Sequence, residues 1–172
     1  PAAPFSELQC ETCHGPGEEH ARAQRGGGGA LPVITFGSHA QTPPGDQNAV
    51  CLDCHESLGP LGWFGSMHES EAVPCAACHQ VHRETDRVLD PLAQQEACFG
   101  CHQKRRADTF RTSNHPVRFG QMACSDCHDP HAGHNDFLLR EPTVNQTCYR
   151  CHAEKRGPFL WEHAPAAEDC TL

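Results

Sequence analysis

The chain has 172 residues, 15 of them Gly and 14 Pro, with only 6% aromatics and a mean hydropathy of -0.60. A sequence this polar and this often broken cannot bury enough aliphatic surface for a conventional core, yet it carries 13 Cys and 14 His. Its net charge of -9 argues against nucleic acid and anionic membrane surfaces as partners, and no run of 18 apolar residues offers a transmembrane helix.

The first residues, "PAAPFSELQ", contain no basic-then-apolar leader and read as a mature terminus or an internal cut. One unit then recurs six times: Cys10/Cys13 with His14, Cys51/Cys54 with His55, Cys75/Cys78 with His79, Cys98/Cys101 with His102, Cys124/Cys127 with His128, and Cys148/Cys151 with His152. Between the first two units, "RGGGGALP" (25–32) is expected to be a mobile loop or hinge. After the fourth unit, "QKRRADTFR" gathers Lys104, Arg105, Arg106 and Arg111, a run read as a solvated face in preference to a docking patch. Short helices around or after the units, Pro/Gly-rich loops and almost no sheet are expected throughout.

Each unit reads C-x-x-C-H, the signature of covalent c-type haem attachment. Two thiols three positions apart reach the two vinyl groups on one edge of a porphyrin, and the next residue brings an imidazole to the iron. Zinc knuckles and redox dithiols also use CxxC pairs, but neither requires a histidine directly after the second cysteine in all six cases. Alternating disulfides would explain twelve cysteines and none of those histidines. The cofactor read from the sequence is therefore haem c, at six complete sites.

Eight further histidines remain for the second axial position: His20, His39, His68, His82, His115, His131, His134 and His163. Met67 and Met122 are the only methionine competitors. An internal repeat sorts the eight. Cys51, Cys98 and Cys148 open units of one kind, 47 and 50 residues apart, and Cys75, Cys124 and the lone Cys170 open units of a second kind, 49 and 46 apart. His68, His115 and His163 precede the second kind by 7, 9 and 7 residues, while His82 and His131 each follow a second-kind motif in "CHQVH" and "CHDPH". These five, with His20 from "CHGPGEEH", are the distal candidates, and His39 and His134 fall outside the pattern. His82 and His131 lie too close to their own motifs to reach around the same porphyrin, so they are expected to serve neighbouring haems. The haem that each distal histidine serves is left open by the spacing. Cys170 occupies the place where a second-kind motif is due, which reads as a motif interrupted by the end of the sequence and so as a further haem position in a longer protein; the competing reading is a free reactive thiol.

The stretches "CETCHGPGEEH", "QNAVCLDCH", "GSMHESEAVPCAACHQVH", "CFGCHQKRRADTFRTSNHPVRFGQMACSDCHDPH" and "NQTCYRCHAEKRGPFLWEHAPAAEDC" resemble the DmsE/MtrA-type decahaem c cytochromes. The resemblance runs from Cys10 to the end, although the family carries ten haems and six complete motifs are present here. It implies an electron conduit in the periplasm or at the outer membrane, with the cell surface as a further location. In that family the cytochrome is threaded into, or docked beneath, an outer-membrane β-barrel and exchanges electrons with periplasmic carriers and outer-membrane or extracellular cytochromes.

Independently of the family, 172 residues over six haems leave too little chain to insulate one porphyrin from the next. The expected fold is a multihaem cytochrome c: a single elongated domain over 1–172, mostly coil with short α-helices, whose core is packed haem. Arg105, Arg106, Lys155 and Arg156 stand near motifs and are candidate partners for propionates. An electron carrier without a catalytic residue is favoured over two rivals, a multihaem oxyanion reductase and a subunit of a cytochrome filament. The reductase would need one five-coordinate iron, often marked by a Lys in the motif, and all six motifs keep His.

Overall fold

A computed structural model describes residues 8–27, 33–56, 62–132, 135–161 and 163–171. The described helices are α1 (Cys10–His14), α2 (Glu18–Arg22), α3 (Pro44–His55), α4 (Met67–Ser70), α5 (Cys75–Cys78), α6 (Gln94–Phe99), α7 (Gln103–Asp108), α8 (Val144–Tyr149) and α9 (Ala164–Glu168). Single 3-10 turns cover Arg87–Leu89, Pro116–Phe119, Cys124–Asp126, Asp136–Leu138 and Ala153–Lys155. Among the described residues there is no strand, and one isolated antiparallel bridge joins His128 to Leu139. The fold is thus short helices in coil, as expected of a multihaem cytochrome c.

Among the described helices only α3 reaches 12 residues, started by Pro44 in its first turn with Asp46 beside it, an arrangement that suits a helix N-terminus. The other helices are one or two turns, too short to persist on helix propensity. Ala23–Gly27 forms a π turn after α2, with Gly26 at a φ of 95°, and so reaches into the start of the 25–32 stretch. The remaining residues of that loop, 28–32, lie outside the described set.

The polypeptide contributes little to an interior of its own. Among the described residues the buried apolar side chains are Trp63, Phe99, Ala123 and Leu138, while Phe64, Phe110, Phe119, Phe159 and Trp161 are all exposed. The buried polar side chains organise the backbone. Gln47, 2% exposed, accepts from Gly37 N at 2.8 Å and donates to Thr42 O at 2.7 Å, pinning the 37–42 loop onto α3.

Asn48 does the same between elements. Its Nδ2 donates to Val73 O at 3.1 Å, and its Oδ1 accepts from Cys75 N at 2.7 Å, tying α3 to the start of α5. Asn145, on α8, repeats the grip: Nδ2 donates to Ala167 O at 3.1 Å and Oδ1 accepts from Cys170 N at 2.7 Å. Between them, Gln94 on α6 donates to Val88 O at 2.8 Å and accepts from Ser125 N at 2.9 Å. An amide side chain just ahead of each first-kind motif therefore holds the beginning of the second-kind position that follows.

Candidate haem-binding site

The CxxCH units share one local geometry. His79, His102, His128 and His152 each donate their backbone N–H to the carbonyl of the first cysteine of their unit, at 2.9, 2.9, 3.0 and 2.9 Å. That bond closes a single helical turn, and side chains three and four positions apart then lie on one face. Both thiols and the imidazole are thus presented on the same side of the turn, as covalent attachment to one porphyrin edge requires.

The second motif takes its turn from the end of α3, and its two thiols differ in setting. Cys51 is half-buried and directs its Sγ to Gln47 O at 3.7 Å, whereas Cys54 is exposed. The buried Gln47 and Asn48 anchor α3 one to two turns before Cys54, which lies next to the helix end at His55. Cys10, Cys101 and Cys151 are exposed likewise.

Four motif histidines stand opposite four histidines from elsewhere in the chain. His14 faces His82 with ring centres 6.0 Å apart and planes 19° from parallel, and His79 faces His131 at 5.9 Å and 23°. His102 meets His68 at 6.2 Å, and His152 meets His115 at 6.2 Å. The near-parallel rings are too far apart for face-to-face contact. A metal held between two imidazole nitrogens at about 2 Å each would set ring centres about 6 Å apart. The spacing fits an iron between each pair.

Hydrogen bonds fix which nitrogen faces inward. The Nδ1 of His14 donates to Ile34 O at 2.7 Å, that of His68 to Pro130 O at 3.0 Å, and that of His128 to Phe137 O at 2.9 Å. His79 Nδ1 donates to Asp86 Oδ2 at 2.7 Å. Carbonyls and carboxylates only accept, so in each case Nδ1 carries the proton and Nε2 keeps its lone pair, the tautomer a metal needs. Burial lowers the pKa of His131, with the neighbouring His79 adding to the effect, and so favours the neutral ring. Trp63 sets an edge against His131 at 6.1 Å.

Phe137 shows how firmly one of these bonds is held. It lies in the left-handed region at a φ of 55°, as does Leu138, costly for residues with a side chain. The segment is pinned across the fifth motif by Asp129 N donating to Leu138 O at 2.7 Å and Arg140 N donating to Cys127 O at 2.9 Å. The result aims the Phe137 carbonyl at His128.

Among the described residues no such ring pairing joins His55 or His128 to a second histidine. His20 on α2 and His163 ahead of α9 are not brought against a motif histidine, and His39 lines a shallow loop pocket with Thr35 and Gln41. His134 lies outside the described residues.

From the second motif onward, the cysteines of successive units form a series. The Cys51 thiol is hydrogen-bonded to Cys75, Cys98 to Cys124, and Cys148 to Cys170. In the first two pairs the shared proton raises the pKa of the first-kind thiol and pulls Cys75 and Cys124 down to about 7. Between these contacts, Cys78 feels the charge of Cys101 and Cys127 that of Cys151. Cys170 thus stands against Cys148 as Cys75 stands against Cys51.

Two buried polar atoms beside the third motif, Arg87 Nε and Gln80 Oε1, have no hydrogen-bond partner. An unsatisfied guanidinium nitrogen at this place fits a propionate carboxylate. Of the cations singled out from the sequence, Arg105 instead bonds Asp108 at 3.2 Å, and Arg111 bonds the same carboxylate at 2.9 Å. Sequence reasoning missed Asp86, Arg87 and the amide grips. Asn48 and Asn145 did leave a signal, since each sits three residues ahead of a first-kind motif.

Comparison with known proteins points the same way. A doubled CXXCH motif model matches residues 114–157, and a cytochrome c-type protein NrfB-like model matches residues 10–92. The chain is 48% identical over 167 residues to the multiheme cytochrome MtrA of Shewanella baltica (strain OS185), covering 97% of this chain and 49% of that protein. It is 31% identical over 116 residues to the cytochrome c-type protein NrfB of Escherichia coli O6:H1 (strain CFT073), covering 64% of this chain and 57% of that protein. The chain spans about half the length of these curated relatives. Matched by cytochrome models on both sides of its middle and aligned with MtrA almost from end to end, it is a haem c protein and belongs to the multihaem c-type cytochromes of the MtrA type.

Proposed function

We propose that this chain conducts electrons along a row of six haems c and carries no catalytic site. The observation that carries the reading is the series of cysteine contacts. From the second motif onward, thiols that would anchor one porphyrin touch or sense those that would anchor the next, so those consecutive cofactors would be held edge to edge. Haem supplies a one-electron iron couple. The chain fixes the spacing through its thioether positions Cys10/Cys13, Cys51/Cys54, Cys75/Cys78, Cys98/Cys101, Cys124/Cys127 and Cys148/Cys151.

His14 with His82, His79 with His131, His102 with His68 and His152 with His115 are the proposed axial pairs, supported by their 5.9–6.2 Å ring separations. His20 and His163 are proposed as the remaining distal ligands, with the haem each serves left open. Two imidazoles per iron leave no position for substrate, which favours a carrier over a reductase. The domain is proposed to be one elongated array over 1–172. Its proposed place is the periplasm or the outer membrane, with redox proteins and an outer-membrane β-barrel as partners. No helix among the described residues is long and apolar enough to cross a membrane.

Electron paramagnetic resonance and near-infrared magnetic circular dichroism of the purified holoprotein test the reading. Wholly low-spin, bis-imidazole spectra without carbon monoxide binding are expected. One equivalent of high-spin haem that binds carbon monoxide would replace the carrier with a reductase.

A further inference from the structure

The four hydrogen bonds to histidine Nδ1 are not chemically alike. His14, His68 and His128 give theirs to backbone carbonyls, whereas His79 gives its proton to a carboxylate, Asp86 Oδ2, at 2.7 Å. His152 lies 3.7 Å from Glu154 Oε1, too long for a hydrogen bond. Asp86 is also sheltered, its side chain 17% exposed against 62% for Glu154, so water screens its charge less. Its other oxygen accepts from Val88 N at 3.3 Å and caps the Arg87–Leu89 turn, which holds the carboxylate in register with the ring.

A carboxylate draws the Nδ1 proton more strongly than a carbonyl does and pushes electron density onto Nε2. A more basic Nε2 favours the ferric over the ferrous state. We propose that Asp86 is a positioning residue that sets the potential of the third haem, acting through His79 to make that iron harder to reduce than a carbonyl partner would. The inference rests on His79 being an axial ligand. The carboxylate bond lowers the potential at the Cys75/Cys78 position relative to a carbonyl-bonded ring, with Asp86 as its adjustable element.

The test is potentiometric titration of the holoprotein, read by electron paramagnetic resonance and optical spectra, for the parent chain and for Asp86→Asn and Asp86→Glu. Asp86→Asn keeps the shape and an accepting oxygen but removes the charge. It is expected to move one midpoint potential upward by about tenfold in the oxidised-to-reduced ratio, ~59 mV for one electron. The haem count and low-spin signals should be kept, and Asp86→Glu should stay near the parent. An Asp86→Asn titration that superimposes on the parent, with all haems present, overturns the proposal while leaving the ligand reading intact. An upward shift of the same size in Asp86→Glu also overturns it, because charge would not be the cause; this arm decides the matter if Asp86→Asn loads haem poorly. A parent protein without bis-imidazole signals would instead remove the ligand reading itself.

Discussion

Replacing Asn48 by alanine tests whether the amide grips hold successive motifs together. The side chain is 7% exposed and makes one bond to Val73 O and one from Cys75 N. Alanine leaves both backbone groups without a partner in a part-buried setting, at about 1–3 kcal/mol each, so about 2–4 kcal/mol together allowing for relaxation. Asn145→Ala removes the same two bonds at a more exposed place, where water substitutes and the loss is nearer about 1 kcal/mol. For a chain of this length Asn48→Ala should lower the apparent Tm by roughly 5–15 °C, and Asn145→Ala by a few degrees. The assay is thermal unfolding of the holoprotein at a fixed heating rate, followed by far-UV circular dichroism and the Soret band. Equal shifts for the two variants, or none for Asn48→Ala, would refute the argument that buried amides carry the junction.

His82→Ala should convert one of the six haems to a high-spin form that binds one equivalent of carbon monoxide, with the haem count unchanged; pyridine haemochrome and carbon monoxide titration read both. Arg87→Leu should leave the low-spin signals in place but shift one midpoint potential to lower values, because a cation beside the third motif is lost; potentiometry checks it. Phe137→Gly should raise the apparent Tm slightly, by about 1 kcal/mol of relieved left-handed strain offset in part by glycine's greater freedom in the unfolded chain. Phe137 is 76% exposed, so little packing opposes that gain.

The attachment turns were legible because covalent chemistry needs both thiols and the imidazole within five consecutive residues, a pattern no tertiary context can alter. The setting of each thiol was not legible in the same way: "CLDCH" does not say that Cys51 will be half-buried and Cys54 exposed. The two-kind repeat was legible because its period reflects a structural unit, and Cys170 takes up the same relation to Cys148 that Cys75 has to Cys51. The coil-rich character followed from Gly and Pro. What spacing could not supply was long-range geometry. Nothing in "CHQVH" says that His82 will face His14, or that "CHDPH" will turn His131 toward His79, because both encounters depend on how intervening segments fold back. Asp86 was invisible for a different reason, since one Asp in a polar chain carries no mark until its neighbour is known.

The pairing of His14 with His82, and of His79 with His131, bears on how such a chain is made. If these pairs are the axial ligands, a porphyrin fastened to Cys10 and Cys13 would wait until two further motifs have appeared before its second imidazole exists. With the proposed pairs, early attachment would leave the irons of His14 and His79 open on one side until His82 and His131 follow, whereas those of His102 and His152 would find His68 and His115 already upstream. Maturation would then mix delayed and immediate closure, and a chain stalled before His82 or His131 would expose the centre at His14 or His79 to oxygen and small ligands.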